Sequence, residues 1–118
     1  MIPLETIEQQ TVAKWLDCNN YTFTHIANES WLPPRVAMIV WKKKKAMWLK
    51  PWVPDFMILL KRSSLLFIEL KRAKKSLSKV SKEQQAWIDS LNTIQNVQAV
   101  ACYWAEEAIN TILKIENL

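Results

Sequence analysis

The chain has 118 residues, half of them hydrophobic, and a formal net charge of +5. This length predicts one domain over residues 1–118 with a single core, and no apolar run approaches the ~18 residues of a membrane-spanning helix. No basic region precedes an apolar one at the N-terminus, so we expect no secretory leader, no membrane partner and a cytoplasmic protein. Cys18 and Cys102 lie far apart in sequence, which favours free thiols over a disulfide or a zinc site.

The first half of the chain predicts a helix, a strand and a poorly defined segment. Apolar residues near helical spacing indicate an amphipathic helix over residues 4–18, and alternation over residues 21–26 predicts a short strand. Prolines interrupt residues 30–54, where only residues 36–48 are predicted to be helical. The apolar positions of the first helix are Leu4, Ile7, Val12, Trp15 and Leu16.

Two short apolar runs near the middle of the chain predict a β-hairpin. They cover residues 56–60 and 65–68 and are joined by a polar step of basic and serine residues. Because side chains alternate faces along a strand, Glu69 and Lys71 point to the same side. Asp55 begins the first strand, which in an antiparallel pair lies beside the end of the second. We therefore expect Asp55, Glu69 and Lys71 to converge at one end of the sheet.

The last third of the chain predicts a helix, a strand and a second helix. Ser81 followed by Gln84 has the form of a capping box, which starts a helix that runs to about Gln95. Residues 97–103 predict a buried strand beside the hairpin, and residues 105–115 predict the closing helix. The element order predicts a three-layer α/β fold around a small mixed sheet. The inward positions predicted for these helices are Trp87, Ile88, Leu91 and Ile94 in the first, and Ala108, Ile109, Ile112 and Leu113 in the second.

Basic residues are concentrated between Arg35 and Lys82, which hold 14 of the 16 Lys and Arg residues of the chain. Asp55 and Glu69 are the only acids in this segment, so its net charge is +12 and that of the remainder is −7. Such a basic band around two carboxylates suggests that an acidic polymer, most obviously nucleic acid, is brought to a metal site. Residues 42–45 taken alone are also typical of a solvated loop. The positions that we predict to contact nucleic acid are Lys42, Lys43, Lys44, Lys45, Lys50, Arg72, Lys74, Lys75 and Lys79.

The convergence of two carboxylates favours a bound divalent cation. Without a cation the two groups would repel, and Mg²⁺ and Mn²⁺ prefer oxygen ligands, so Asp55 and Glu69 predict a site for one of these ions. Lys71 would then orient the attacking water, help to deprotonate it, or balance charge on a phosphate. The structural interpretations are that Glu-x-Lys is a common surface ion pair on strands, and that the capping box alone explains Ser81 and Gln84.

Three motifs in combination resemble a known family. Val53-Pro54-Asp55, Ile68-Glu69-Leu70-Lys71 and Ser81-x-Glu83-Gln84-x-x-Trp87 are similar to the VRR-nuc branch of the PD-(D/E)xK nucleases, which share the restriction-endonuclease-like fold. The likeness extends to Glu5-x-x-x-Gln9, to residues 25–29 and to residues 99–103, and so covers nearly the whole chain. Standalone versions of this domain occur in bacteriophages.

The resemblance implies metal-dependent cleavage of DNA, often of branched, flapped or four-way junction structures. It implies a Mg²⁺ or Mn²⁺ cofactor, and resolution of a symmetric junction would suit a homodimer. The roles that it implies are Asp55, Glu69 and the backbone carbonyl of Leu70 as metal ligands, Lys71 as catalytic, Gln84 as assisting, and Glu5 or Glu29 as a further acid.

The chain has no glycine and seven tryptophans, although average composition predicts about eight glycines. Trp48, Trp52 and Trp104 stand where the resembling family commonly has glycine, and Trp41 is a fourth candidate. We hypothesise that these positions are UGA codons that the source organism reads as glycine, and UGG codons there would refute it. If Trp52 is real, it either obstructs the site or stacks on a splayed base.

The sequence therefore predicts a small, metal-dependent DNA endonuclease that is selective for DNA structure. The alternative is a nucleic-acid-binding module with the same fold and no turnover. A third interpretation is a folded protein whose charges only keep it in solution.

Overall fold

The computed structural model describes residues 5–26, 34–46, 52–72 and 79–116. In chain order the elements are α1 (Glu5–Cys18), β1 (Thr22–His25), α2 (Pro34–Ala46), β2 (Phe56–Leu60), β3 (Ser64–Leu70), α3 (Lys82–Leu91), β4 (Val97–Cys102) and α4 (Ala105–Glu116). The α/β class and the element order predicted from the sequence are confirmed. Pro34 opens α2, a position that suits proline because its missing N–H would have no partner there.

The four strands form one mixed sheet in the order β1-β2-β3-β4. The pairs β1–β2 and β2–β3 are antiparallel, whereas β3 and β4 are parallel and are connected through α3. The predicted hairpin is therefore the centre of the sheet. Its three-residue turn places Ser63 at a φ of 60°, a left-handed conformation that glycine adopts at lower cost.

One face of the sheet forms the hydrophobic core with α1 and α4. Val12 and Leu16 of α1 and Ala108 and Ile112 of α4 are fully buried against it. Alternate residues of β2 and β3 point to this face, as the period of a strand requires. The strand residues of this core are Phe56, Ile58, Leu60, Leu66, Ile68 and Leu70.

The inward face of α1 includes an acid that the apolar pattern did not predict. Glu8 is buried, and its Oε2 accepts the N–H of Ala105 at 2.6 Å. Ala105 is the first residue of α4, where a carboxylate is favoured by the helix dipole. Ile7, one of the apolar positions that indicated an amphipathic helix, lies on the outer side and is 52% exposed.

On the second face of the sheet α3 packs against β4, and this helix is shorter than predicted. The helix ends at Leu91, and the side chain of Asn92 donates to the carbonyl of Ala99 at 2.9 Å and accepts the Ala99 N–H at 2.8 Å. This double contact joins the helix end to β4 and stops the helix before Gln95. Ile88 is buried as predicted, but Ile94 lies beyond the helix and is 54% exposed, contrary to its predicted inward position.

The turn end of the hairpin is attached to the end of α4 through Glu116. The Tyr21 hydroxyl donates to Glu116 Oε2 at 2.8 Å, and the Lys61 backbone N–H donates to Oε1 at 3.3 Å. Lys61 Nζ lies 4.8 Å from the centroid of the Tyr21 ring, within the range of a cation–π contact. Burial raises the pKa of Tyr21 to about 12, and the hydrogen bond and negative charge of Glu116 act in the same direction.

Two further expectations concern the thiols and the membrane. Cys18 is exposed, Cys102 is buried, and both are free, as predicted. Every helix in the described ranges is too short or too polar to cross a bilayer.

Candidate active site

The candidate site lies where β2 begins and β3 ends. Phe56 pairs with Ile68 in antiparallel register, which places Asp55 opposite Glu69. Asp55 Oδ2 accepts the Leu70 N–H at 2.8 Å, and the Asp55 carbonyl accepts the Ile26 N–H at 2.6 Å. The residue is therefore attached to the strands on both sides. Asp55 and Glu69 are only 3% and 2% exposed, which is unusual for acids and requires compensating polar contacts.

Lys71 lies on the same side of the chain as Glu69, as the alternation of strand side chains predicts. Lys71 Nζ is 3.5 Å from Glu69 Oε1, and the lysine is 7% exposed. Its backbone N–H donates to the carbonyl of Cys102 at 2.7 Å, so the pairing with β4 continues past the end of β3. The interpretation of Glu69 and Lys71 as an ordinary surface ion pair is therefore wrong, because both side chains are buried.

Gln84 connects the start of α3 to this cluster. Its Nε2 donates to Glu69 Oε1 at 2.6 Å. Its Oε1 accepts the Ser81 N–H at 2.9 Å, and its own N–H donates to Ser81 Oγ at 3.1 Å. The capping box predicted from the sequence is confirmed, but it does not fully explain Gln84, because the same amide also contacts Glu69.

The backbone carbonyl of Leu70 is a third candidate ligand beside the two carboxylates. The Lys71 N–H points to Cys102 on β4, and a trans peptide directs its carbonyl opposite to its N–H. The Leu70 carbonyl therefore faces away from β4, towards the side of β3 on which Asp55 lies. The Leu70 carbonyl is therefore on the side of β3 where a backbone ligand to a metal would lie.

The donor set fits an oxygen-preferring divalent ion. The described residues contain no group of three or more His, Cys, Asp or Glu that could hold a metal. They do contain one buried pair, Asp55 and Glu69, and Mg²⁺ is commonly held by one or two carboxylates together with water and substrate oxygens. The two carboxylates and the Leu70 carbonyl match that pattern.

The other residues predicted for the site are only partly described. Glu5 opens α1, but its side chain lies outside the described part of the structure, as does the whole of Glu29. Of the predicted nucleic-acid contacts, Lys42 and Lys43 are exposed on α2, Lys79 is exposed before α3, and Arg72 is half-buried after Lys71. The predicted contacts whose side chains fall outside the described residues are Lys44, Lys45, Lys50, Lys74 and Lys75.

Residues 42–45 belong to α2, so their interpretation as a solvated loop is wrong in its secondary structure, although Lys42 and Lys43 are solvated. Sequence reasoning also assigned no role to Ser81 beyond the helix cap. The signal that could have linked it to the site is the amide at position 84, because a glutamate would serve the cap equally well.

The tryptophans proposed to replace glycine show no strained backbone in the described ranges. Positive φ values there occur at Asn20, Ser63 and Asn96, and so at neither Trp52 nor Trp104. Trp52 is half-buried shortly before Asp55, and Trp104 is 44% exposed before α4. Trp48 and the side chain of Trp41 lie outside the described residues. The codon hypothesis stays a prediction that the coding DNA decides.

Comparison with known proteins places the chain in a family. The family model described as the VRR-NUC domain matches residues 5–106. A solved structure titled "VRR_NUC domain protein" superposes with a TM-score of 0.71 at 23% sequence identity, over 98% of this chain and 90% of that one, and thus shares the fold. No curated protein matches the chain in sequence. The VRR-NUC family is nuclease-related and is consistent with the PD-(D/E)xK group. This chain belongs to the VRR-NUC family.

Proposed function

We propose that this protein is a metal-dependent endonuclease that hydrolyses DNA phosphodiester bonds. The family implies a nuclease and DNA as its substrate. The observation that carries the finer proposal is the contact of Lys71 Nζ with Glu69 Oε1 at 3.5 Å, beside an Asp55 that is held by the Leu70 N–H. Two buried carboxylates and a buried ammonium at a strand end form a site for charge-based catalysis.

The carboxylates and the Leu70 carbonyl would hold Mg²⁺ or Mn²⁺. When bound, such an ion lowers the pKa of its water and offsets charge on the phosphoryl oxygens. Asp55 contributes a carboxylate fixed by the backbone of the neighbouring strand. Glu69 contributes a second one, whose Oε1 is held by Gln84 and Lys71. Rigid ligands of this kind place the reacting groups without further reorganisation.

Lys71 acts on the substrate side of the cluster. Its ammonium donates hydrogen bonds to the attacking water and offsets negative charge on the scissile phosphate. An ammonium has three donors, so it keeps its contact with Glu69 Oε1 while it binds a second oxygen. Gln84 does not contact the reacting atoms in this proposal and acts through Glu69.

The basic residues deliver the DNA. Lys42, Lys43 and Lys79 are exposed, and phosphate contacts of this kind supply affinity without reading sequence. The structure of the DNA rather than its base sequence would then set the substrate preference. We propose branched, flapped or four-way junction DNA as the substrate. Paired cuts in a symmetric junction need two sites, so we propose that two copies act together.

The test is a cleavage assay on linear, flapped and four-way DNA with Mg²⁺, Mn²⁺ or EDTA. We expect the protein to cut branched DNA with either ion and to stop in EDTA, and Asp55→Ala to bind DNA without cutting it. If wild type and Asp55→Ala bind DNA alike and neither cuts, the protein is a binding module and the enzyme proposal fails. Light scattering with and without a junction measures the number of copies.

A further inference from the structure

We propose that Ser81 is a positioning residue for this site: it holds the Gln84 amide in one orientation and thereby fixes the carboxylate of Glu69. The inference rests on the proposed function, in which Glu69 is a metal ligand. It assigns a role in the reaction to the start of α3, which lies in a different layer of the fold from Asp55, Glu69 and Lys71.

The two neighbours of the Gln84 amide demand the same orientation. The Ser81 N–H, 2.9 Å away, needs an acceptor, and only the amide oxygen can accept. Glu69 Oε1, 2.6 Å away on the other side, needs a donor, and only Nε2 can donate. A flip of the amide would break both contacts at once. The Ser81 N–H therefore determines that Gln84 presents a donor to Glu69.

The hydroxyl of Ser81 holds this arrangement in place. Ser81 Oγ accepts the Gln84 N–H at 3.1 Å, which orders the first turn of α3 and the backbone from which the Gln84 side chain extends. At the other end of the helix, Asn92 makes two hydrogen bonds to Ala99 of β4. The contact of Gln84 with Glu69 is thus at the opposite end of the helix from the contacts of Asn92 with β4.

The amide at position 84 is required by Glu69 rather than by the helix cap. A capping box accepts either Glu or Gln at its third helical position, because only one acceptor oxygen is needed. A glutamate at position 84 would keep the Ser81 contact but would place a second carboxylate 2.6 Å from Glu69 Oε1, where like charges repel. Gln84→Glu therefore separates the two roles.

The first experiment compares Gln84→Glu with wild type. We expect the helix content by circular dichroism to be unchanged, because the cap is preserved, and the melting temperature to fall because the two carboxylates repel. We expect the affinity for Mn²⁺ alone to fall about tenfold or more, which begins at the lower end of the range for residues that support a metal ligand. A Mn²⁺ affinity and a cleavage rate equal to those of wild type would show that Gln84 serves the cap only, and the inference would be wrong.

The second experiment tests Ser81 itself, with Asn92→Ala as the matched control. Both variants remove side-chain hydrogen bonds at an end of α3, one for Ser81→Ala and two for Asn92→Ala, but only Ser81 lies on the path to Glu69. We expect Ser81→Ala to lower kcat about fivefold. This factor is equivalent to the free energy that one N-cap typically contributes. KM for DNA should stay constant, Ser81→Thr should restore kcat, and Asn92→Ala should keep the wild-type kcat below its melting temperature.

Equal kcat values for Ser81→Ala and Asn92→Ala, or no rescue by Ser81→Thr, would overturn the inference. If the wild-type protein cuts no DNA, the proposed function fails by itself, and the positioning role is then judged from Mn²⁺ affinity. In that case Ser81→Ala should still bind Mn²⁺ about fivefold more weakly than Asn92→Ala does, given the same lost cap. Equal Mn²⁺ affinities would reject the role of Ser81.

Discussion

Buried carboxylates lie near both ends of the central hairpin, and Glu116 of α4 at the turn end is held differently from Glu69 at the open end. At the turn end, Glu116 accepts one neutral donor on each oxygen, from the Tyr21 hydroxyl and the Lys61 N–H. At the open end, Gln84 and Lys71 both contact the same oxygen of Glu69, Oε1, and one of them is a cation. Burial is similar at the two ends, at 6% and 2% exposure. The kind and placement of the donors, rather than burial, distinguish a structural carboxylate from a candidate ligand.

The largest expected effect is a difference in cleavage activity between a variant at the open end of the hairpin and a variant at its turn end. We expect Asp55→Asn to lower the cleavage rate about 10³-fold, which corresponds to about 4 kcal/mol of lost transition-state stabilisation when a charged ligand is removed. Asn retains an acceptor for the Leu70 N–H, so the fold should survive, as circular dichroism can check. The matched change at the turn end, Glu116→Gln, should leave the rate of the folded protein unchanged. Equal losses in the two variants would remove the distinction.

The two lysines provide the next comparison. Lys71→Met should lower kcat about 100-fold, the lower range for loss of a group that handles the proton or charge of the reacting atoms. Lys61→Met removes an ammonium 4.8 Å from the Tyr21 ring and should leave kcat near the wild-type value. Single-turnover cleavage of a flapped duplex measures both. A Lys71→Met variant with full activity would leave Lys71 as a structural cation.

Variants at the turn end of the hairpin should lose stability while they keep their cleavage activity. Tyr21→Phe leaves Glu116 Oε2 without its 2.8 Å donor, and we expect a loss of about 1–3 kcal/mol in the free energy of unfolding. Cleavage measured well below the melting temperature should be unaffected. Urea denaturation of Tyr21→Phe and Glu116→Gln tests this, and a stability unchanged in both variants would contradict a structural role for the turn end.

The same tyrosine predicts a pH dependence. Its pKa is raised from 10.0 to about 12 in the folded protein, so the folded state retains the proton more strongly than the unfolded chain. The stabilisation is complete below pH 10 and is lost as the pH rises through 12. Melting temperatures of wild type should therefore fall over this interval more steeply than those of Tyr21→Phe. Parallel curves for the two proteins would show that Tyr21 titrates normally.

The smallest effect concerns delivery of DNA. Replacing Lys42 and Lys43 by Ala should weaken DNA binding and reduce the slope of log affinity against log salt by up to about 2, one for each phosphate contact. Arg62→Ala, at the exposed turn away from the site, should leave the slope unchanged. An equal change in both variants would mean that DNA also contacts the turn end of the hairpin.

The hairpin and its acids could be predicted because their signal is local. The period of two over residues 56–60 and 65–68 sets the faces, and antiparallel pairing brings Asp55 to Glu69 without further information. The contact of Gln84 with Glu69 could not be predicted in this way. It joins two layers of the fold, and the helix cap already offered a complete local explanation for the glutamine.

The errors have a common physical cause. Ile94 continues the apolar spacing of α3, but the helix ends at Leu91 because the Asn92 side chain binds β4. Ile7 fits the apolar spacing of α1, but Glu8 takes the inward position because it accepts the N–H of Ala105. Ala105 lies 97 positions further along the chain. In both cases a polar side chain satisfies a distant backbone group, and that partner is invisible to periodicity.

The turn at Ser63 also shows where the protein could be made more stable. In the described ranges, left-handed backbone occurs at Asn20, Ser63 and Asn96, all in connections between elements. A serine in that conformation costs about 1 kcal/mol or more relative to glycine. Ser63→Gly would recover part of that energy at a place far from Asp55 and Glu69. Because the chain has no glycine, introducing one at a left-handed position should raise its thermal stability without altering the residues of the candidate site.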